Sequence, residues 1–107
     1  GWTVNGTMSA FTVAGGGASF SGNYLGWAPV VSSVSAPTAG GYTQTVNAGP
    51  VVAPADLATG LATGRALASA PVNLGLGVAT LDARLKLLIP VSARSGTYTG
   101  TLTFTII

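Results

Sequence analysis

The sequence predicts an all-β protein, an antiparallel and immunoglobulin-like β-sandwich of roughly six to nine short strands. The first observation is the regular alternation of apolar and threonine residues over residues 97–107. The second is that 16 glycines and 6 prolines separate short runs rich in β-branched and aromatic residues. The third is the length of 107 residues, which suits a single core, so residues 1–107 are expected to form one sandwich domain.

The final strand is the clearest element. Its apolar row consists of Tyr98, Leu102, Phe104 and Ile106, and its hydroxyl row of Thr97, Thr99, Thr101, Thr103 and Thr105. Because successive side chains of a strand point to opposite faces, the apolar row is expected to cover a core and the hydroxyl row to face solvent. The segment contains no charge and no proline. At the edge of a sheet, such a strand would be open to pairing with another chain.

Residues 79–91 carry a second clear alternation. Leu81, Ala83, Leu85, Leu87 and Ile89 share one predicted face, and Asp82, Arg84 and Lys86 share the other. A turn over residues 93–96 leads from this segment to the final strand. The sequence therefore predicts a long C-terminal hairpin whose apolar face covers another sheet.

The rest of the chain gives weaker signals. Strands are predicted over residues 1–13, 18–24, 30–34 and 42–46, with a kink or bulge at Asn5-Gly6 and turns over residues 15–17 and 25–29. Residues 56–70 are ambiguous, because Asp56 could cap a helix. Gly60 and Gly64 oppose that helix, since each costs about 1 kcal/mol relative to alanine. Irregular chain followed by a short strand near residues 65–68 is the favoured interpretation.

Charged residues are unusually scarce. They make up 6% of the chain, against about 25% in typical soluble domains, while hydrophobic residues make up 48%. Such a surface suits a secreted or wall-associated protein, or a subunit covered by its neighbours. The net charge of +2 comes with no dense basic cluster, which argues against nucleic acid as a partner. The apolar runs are too short to span a bilayer, so no transmembrane segment is expected.

Catalytic and metal-binding residue types are almost absent. The chain has no histidine and no cysteine, which excludes Ser-His-Asp and Cys-His catalysis and the usual zinc sites. The two acidic residues are Asp56 and Asp82. A glycosidase needs two carboxylates about 5 to 9.5 Å apart, but Asp82 is expected on a solvated face and Asp56 in a turn or cap. The sequence therefore predicts a non-enzymatic protein with no catalytic residue, metal or cofactor.

The larger aromatic residues have two interpretations. Trp2, Tyr24, Trp27, Tyr42 and Tyr98 could form a platform for sugar rings, or they could fill the sandwich core. Core packing is favoured for Trp2 and Tyr98, which lie on alternating apolar rows. For Trp27, in a predicted turn beside Pro29, a lid over the core and an exposed aromatic contact are weighed equally.

Two short motifs resemble those of the WxL domain of Gram-positive cell-surface proteins. The C-terminal motif of that family runs Tyr, three residues, an aliphatic residue, Thr, Trp, any residue and Leu. Here it is matched by Tyr98, Leu102, Thr103, Phe104 and Ile106, with phenylalanine and isoleucine in the last two fixed positions. Near the other end of the chain, Trp2-Thr3-Val4 is similar to the first Trp-x-Leu motif of the family, with valine for leucine.

The resemblance implies a β-sandwich that attaches noncovalently to peptidoglycan or another cell-wall glycan and works with other surface proteins. The binding positions implied by the motifs are Trp2, Val4, Tyr98, Leu102, Thr103, Phe104 and Ile106. Their alternation predicts that most of these side chains are buried. We therefore expect an extracellular bacterial module of the cell surface or wall. The alternative is a structural subunit that associates with copies of itself into a fibre, sheath or layer.

Overall fold

The chain forms an all-β, sandwich-like arrangement of antiparallel sheets, which confirms the predicted fold class. The computed structural model describes residues 1–36, 43–54 and 60–107. Its strands are β1 (Trp2–Met8), β2 (Phe11–Val13), β3 (Ser19–Phe20), β4 (Leu25–Ser35), β5 (Asn47–Ala48), β6 (Arg65–Ala70), β7 (Val78–Leu87), β8 (Tyr98–Thr99) and β9 (Leu102–Ile106). Within the described ranges, the helical structure is a single 3₁₀ turn over Gly22–Tyr24.

The strands make three sheets of different size. The largest has four strands in the order β5-β6-β1-β9, so β9 forms one of its edges. A second has three strands in the order β3-β2-β8, and β4 pairs with β7 as a long two-stranded ribbon. Every pairing is antiparallel. The molecule is elongated, with extents of 58 × 23 × 20 Å.

The core lies where the β4–β7 ribbon covers the four-stranded sheet. Alternate residues of β1 are buried at Val4, Gly6 and Met8, as the period of a strand requires. The buried hydrophobic cluster consists of Val4, Met8, Leu25, Trp27, Val52, Leu61 and Leu67. Trp2, Phe11, Leu81, Ala83 and Leu102 pack against it while half-buried. The sheet and the ribbon therefore form the two layers of the sandwich.

The irregularity predicted in the first strand lies in its partner instead. The register between β1 and β6 shifts between Val4 and Asn5, but the extra residue is Leu67 of β6, and β1 pairs with β9 without a break. A bulge of this kind inserts one unpaired residue and increases the local twist of the strand. The segment predicted as one strand also divides into β1 and β2, which belong to different sheets.

The predicted C-terminal hairpin is wrong. Strand β7 pairs with β4 along its whole length, from Leu25 opposite Leu87 to Ser35 opposite Val78. Strand β9 pairs instead with β1. The alternation of a strand shows which of its faces is apolar, but it does not show with which strand it pairs. The turn at residues 90–96 leads the chain into β8 of the three-stranded sheet instead. The predicted apolar face of this segment is confirmed at Leu81 and Ala83, which pack against the core. It is wrong at Leu85, Leu87 and Ile89, which are exposed.

The predicted turn over residues 25–29 is also wrong, because those residues begin the 11-residue strand β4. Pro29 can lie inside this strand because of the direction in which its backbone nitrogen points. The N–H and C=O of Trp27 both bond to Val52, on the side of β4 that faces away from β7. Since Pro29 is two residues further along, its missing N–H also points away from the β7 ladder.

The final alternating segment is broken at Gly100 into β8 and β9. A side chain at Gly100 would overlap the Cε atom of Met8, which packs where the chain crosses from one sheet to the other. The five threonines of the hydroxyl row are exposed, as predicted.

The two segments in the middle of the chain differ in how far they match the predicted strands. Residues 43–46 are not a strand, and the short β5 follows them at Asn47–Ala48; Tyr42 lies outside the described residues. The predicted strand near residues 65–68 is confirmed as β6. Residues 60–63 form bends, and Asp56, the proposed helix cap, lies outside the described residues.

Candidate binding surface

The structure brings most of the motif residues together on the four-stranded sheet. Val4 lies directly opposite Ile106, and Gly6 lies opposite Phe104, in the pairing of β1 with β9. The motif residues on this sheet are Trp2, Val4, Leu102, Thr103, Phe104 and Ile106. Tyr98 is separate, on β8 of the three-stranded sheet. The two motifs at opposite ends of the sequence are therefore neighbours in space, apart from that tyrosine.

The expectation that most motif side chains are buried is wrong for the C-terminal half of β9. Val4 is buried, and Trp2 and Leu102 are half-buried against the core. Phe104 is 53% exposed and Ile106 71% exposed. The reason is position: β9 is an edge strand, so its apolar row is covered on the β1 side and open on the other.

Trp27 is the centre of the core and not an exposed aromatic, so that part of the prediction is wrong. Its side chain is 1% exposed, because strand β4 points it at the four-stranded sheet. The indole stacks on Phe104 with ring centroids 6.1 Å apart and planes inclined by 10°. Gly6 supplies the space below the indole, since a Cβ there would overlap the Cη2 atom of Trp27. Among the described residues, the indole Nε1 finds no hydrogen-bond acceptor.

Trp2 also acts within the fold. Its indole Nε1 donates a hydrogen bond of 3.1 Å to the carbonyl oxygen of Gly75. This bond fastens the connection between β6 and β7 to the first strand. The half-buried ring packs against the core, as the alternation of the first segment predicts.

A second group of aromatic rings forms a separate feature on the three-stranded sheet. Phe11 stacks on Phe20 with centroids 4.7 Å apart, and Phe20 lies 5.1 Å from Tyr98 at an angle of 48°. Tyr24 meets Phe20 edge-on at 5.8 Å. All four rings are half-buried, so each keeps part of its surface accessible.

Three of these rings, Phe11, Phe20 and Tyr98, form one wall of an open cleft of about 370 Å³, here called the aromatic cleft. It is lined by Phe11, Phe20, Leu87, Ile89, Ala93, Arg94, Ser95, Gly96 and Tyr98. A more polar hollow of about 370 Å³ adjoins it and shares Phe20, Arg94 and Tyr98, with Ser19 and Ser92 added. Aromatic faces beside a few polar groups and one cation are the usual composition of a small-ligand site.

The Tyr98 hydroxyl fixes the far wall of the cleft. It donates a 2.9 Å hydrogen bond to the carbonyl oxygen of Arg94 and accepts one of 3.2 Å from the Arg94 amide. The loop over residues 90–96 is thereby held against the aromatic rings. The Arg94 side chain itself is exposed at the mouth of the cleft.

Of the two acidic residues, Asp82 is the one that lies in the described part of the chain. Asp82 is exposed on β7, and its Oδ1 accepts a 2.8 Å hydrogen bond from the Ala83 amide. Asp56 lies outside the described residues. In the same ranges, no three potential metal ligands come together, and no helix is long and apolar enough to cross a membrane.

Sequence reasoning missed Phe11, Phe20 and Arg94 as members of one site. The first two are directly opposite each other in the pairing of β2 with β3, across the glycine turn at residues 15–17. Recognition of that turn as a hairpin would have placed these two rings side by side. Arg94 carries no such local signal, because it reaches the site through the connection between different sheets.

No family model, curated protein or solved structure matches this chain. The resemblance to the WxL domain therefore depends on the motif residues alone.

Proposed function

We propose that this chain is a non-enzymatic, extracellular module that attaches to the bacterial cell wall, with the aromatic cleft as its contact with a wall glycan such as peptidoglycan. The observation that supports this proposal is that accessible aromatic rings and polar groups line the aromatic cleft and the hollow beside it. The motif residue Tyr98 belongs to the same cleft and shapes it. The other motif residues belong to the four-stranded sheet of the sandwich and not to the cleft.

The chemistry of the cleft suits a sugar chain. The faces of Phe20 and Tyr98 offer flat apolar surface of the kind that covers the C–H face of a pyranose ring. Ser19 and Ser92 add hydroxyl groups in the adjoining hollow. Arg94 supplies a guanidinium for a carboxylate, a group that peptidoglycan carries on its peptide stems.

Retention on purified Gram-positive cell walls tests the proposal. We expect saturable retention without polymerisation, weakened by Phe20→Leu, which keeps an apolar side chain but removes the flat ring. Arg94→Gln should weaken retention by about one to two orders of magnitude, because a charge-assisted hydrogen bond contributes about 1.5–3 kcal/mol. Arg84→Gln is the matched control, since it removes the same charge from the exposed face of β7.

Unchanged retention in both cleft variants would refute the cleft as the contact, and absence of any saturable retention would refute wall attachment. An equal loss in Arg84→Gln would indicate general charge attraction instead of a site.

The second candidate is a structural subunit that assembles into a fibre, sheath or layer. The observation in its favour is the amount of exposed aliphatic surface on a chain with few charges, including Val30, Val34, Leu85, Ile89 and Val91. Surfaces of this kind on soluble proteins mark sites of association. Concentration-dependent polymers that sediment without cell walls, together with no retention on walls, would favour this candidate over the first.

A further inference from the structure

Among the described residues, strand β9 has no neighbour on one side, and the hydrogen bonds on its other side fix which backbone groups point outward. The N–H and C=O of Ile107 both bond to Thr3, and the carbonyl of Thr101 accepts from the Ser9 amide. Odd-numbered residues of this segment therefore face β1, as the alternation of an antiparallel ladder requires. The outward backbone groups belong to Leu102, Phe104 and Ile106. In the described part of the chain, no backbone group pairs with them.

The sequence of β9 reads the same way in both directions by residue class. Leu102, Thr103, Phe104, Thr105 and Ile106 follow the order aliphatic, threonine, aromatic, threonine, aliphatic. When two copies of this strand lie antiparallel with Phe104 opposite Phe104, each leucine meets an isoleucine and each Thr103 meets a Thr105. No charge lies in the strand, so no like charges oppose each other.

The directions of the backbone N–H and C=O groups of β9 fit the same register. With Phe104 opposite its own copy, the directly opposed pairs 104–104, 102–106 and 106–102 are those whose backbone groups face outward. In each pair, the N–H of either residue donates a hydrogen bond to the C=O of the other, as in the hydrogen-bonded pairs of an antiparallel ladder. Thr103 and Thr105 then form the non-hydrogen-bonded pairs, with their side chains on the exposed face.

We propose that two copies of this chain associate through β9 in the antiparallel register centred on Phe104. The two four-stranded sheets then become one continuous sheet. On the apolar face, the half-exposed Phe104 ring of each copy meets the Phe104 ring of the other, and each exposed Ile106 meets Leu102 of the other copy, so these side chains lose contact with water. Because the contact uses the same surface on both copies, it closes as a dimer and does not propagate. This inference depends on the β9 edge alone and on neither proposed function.

Cysteine cross-linking tests the register directly, because the native chain contains no cysteine. In the proposed dimer, Thr103 of one copy lies about 4.5 Å from Thr105 of the other between Cα atoms, within the range that a disulfide spans. Thr103 lies about 7–8 Å from the Thr103 of the other copy, which is too far for a disulfide. Oxidation of an equal mixture of Thr103→Cys and Thr105→Cys proteins should therefore give cross-linked dimer, and neither protein alone should give it.

Three results would overturn the proposal. Cross-linking of Thr103→Cys or Thr105→Cys with itself would indicate another register. Cross-linking in none of the samples would indicate no pairing through β9. Cross-linked species that grow beyond the dimer would indicate an open assembly.

A charge variant supplies the second measurement. Thr103→Lys/Thr105→Lys places lysines directly opposite each other at both threonine pairs, on a face that is solvent-exposed within one copy. Sedimentation equilibrium over a concentration series should give a dimer for the native chain and a monomer for this variant, each with unchanged far-UV circular dichroism. Thr63→Lys/Thr80→Lys is the matched control, since both of its sites are exposed and lie away from β9, and it should stay dimeric. A monomeric native chain, or a dimeric β9 variant, would contradict the proposal.

Discussion

The indole of Trp27 and the ring of Phe104 lie nearly parallel, with centroids 6.1 Å apart and planes inclined by 10°. Phe104 is opposite Gly6 in the sheet, and the indole occupies the space that a side chain at position 6 would fill. Three residues from distant parts of the sequence thus form one unit of packing. The ribbon and the four-stranded sheet meet at this point.

Gly6→Ala should destabilise the fold by about 1–3 kcal/mol, because an added methyl group would force the indole of Trp27 from a packed position. Urea unfolding followed by circular dichroism measures the change. Gly64→Ala is the matched control, since the nearest atom to an added Cβ there is the Thr7 Oγ1 at 3.5 Å, an ordinary contact. It should change stability by no more than about 1 kcal/mol. Equal losses in the two variants would contradict the packing of Trp27 on Gly6.

The two tryptophans should differ in their access to solvent. Trp27 is 1% exposed, whereas Trp2 is half-buried. Fluorescence of the Trp2→Phe protein, which reports Trp27, should be shifted to the blue and resist quenching by acrylamide. The Trp27→Phe protein, which reports Trp2, should be quenched more readily while still folded. Easy quenching of Trp27 in folded protein would show that it is an exposed aromatic after all.

Tyr98→Phe should loosen the loop over residues 90–96, because it removes both hydrogen bonds between the hydroxyl and the Arg94 backbone. The expected loss of stability is about 1 kcal/mol, with faster hydrogen exchange at the Arg94 amide. Tyr24→Phe removes a hydroxyl from the same aromatic group and serves as the control. If the Arg94 amide exchanged at the native rate in Tyr98→Phe, the hydroxyl would not be what holds the loop.

Leu61→Ala should cost about 2–5 kcal/mol, because Leu61 is fully buried at 0% exposure. Its backbone also joins two strands, since its N–H donates to the Leu25 carbonyl and its C=O accepts from the Met8 amide. Leu88→Ala, at a leucine that is 47% exposed, should cost much less. Chemical denaturation of both variants checks the difference, and a similar cost for the two would contradict the burial of Leu61.

The fold class and much of the local pattern could be predicted from the sequence. Alternating side chains can be recognised without knowledge of a strand's partner, so the exposed threonines and the core contacts of Leu81 and Leu102 were predicted correctly. The burial predicted for Phe104 and Ile106 was wrong. The strand β6 was also predicted at its place in the chain, whereas the register shift opposite Asn5 comes from the extra residue Leu67 of β6 and not from the predicted Asn5-Gly6 bulge. For the candidate site, the sequence predicted Tyr98 but neither Phe20 nor Arg94.

The partners of each strand were decided only by the tertiary structure. Alternation shows which side of a strand is apolar, but many strands in one chain share that property. The local sequence therefore does not determine that β7 pairs with β4 or β9 with β1. The same reason explains Trp27, whose neighbours Gly6 and Phe104 lie far away in the sequence. Burial depends on which elements meet, and the exposure of Phe104 follows from the place of β9 at the edge of its sheet.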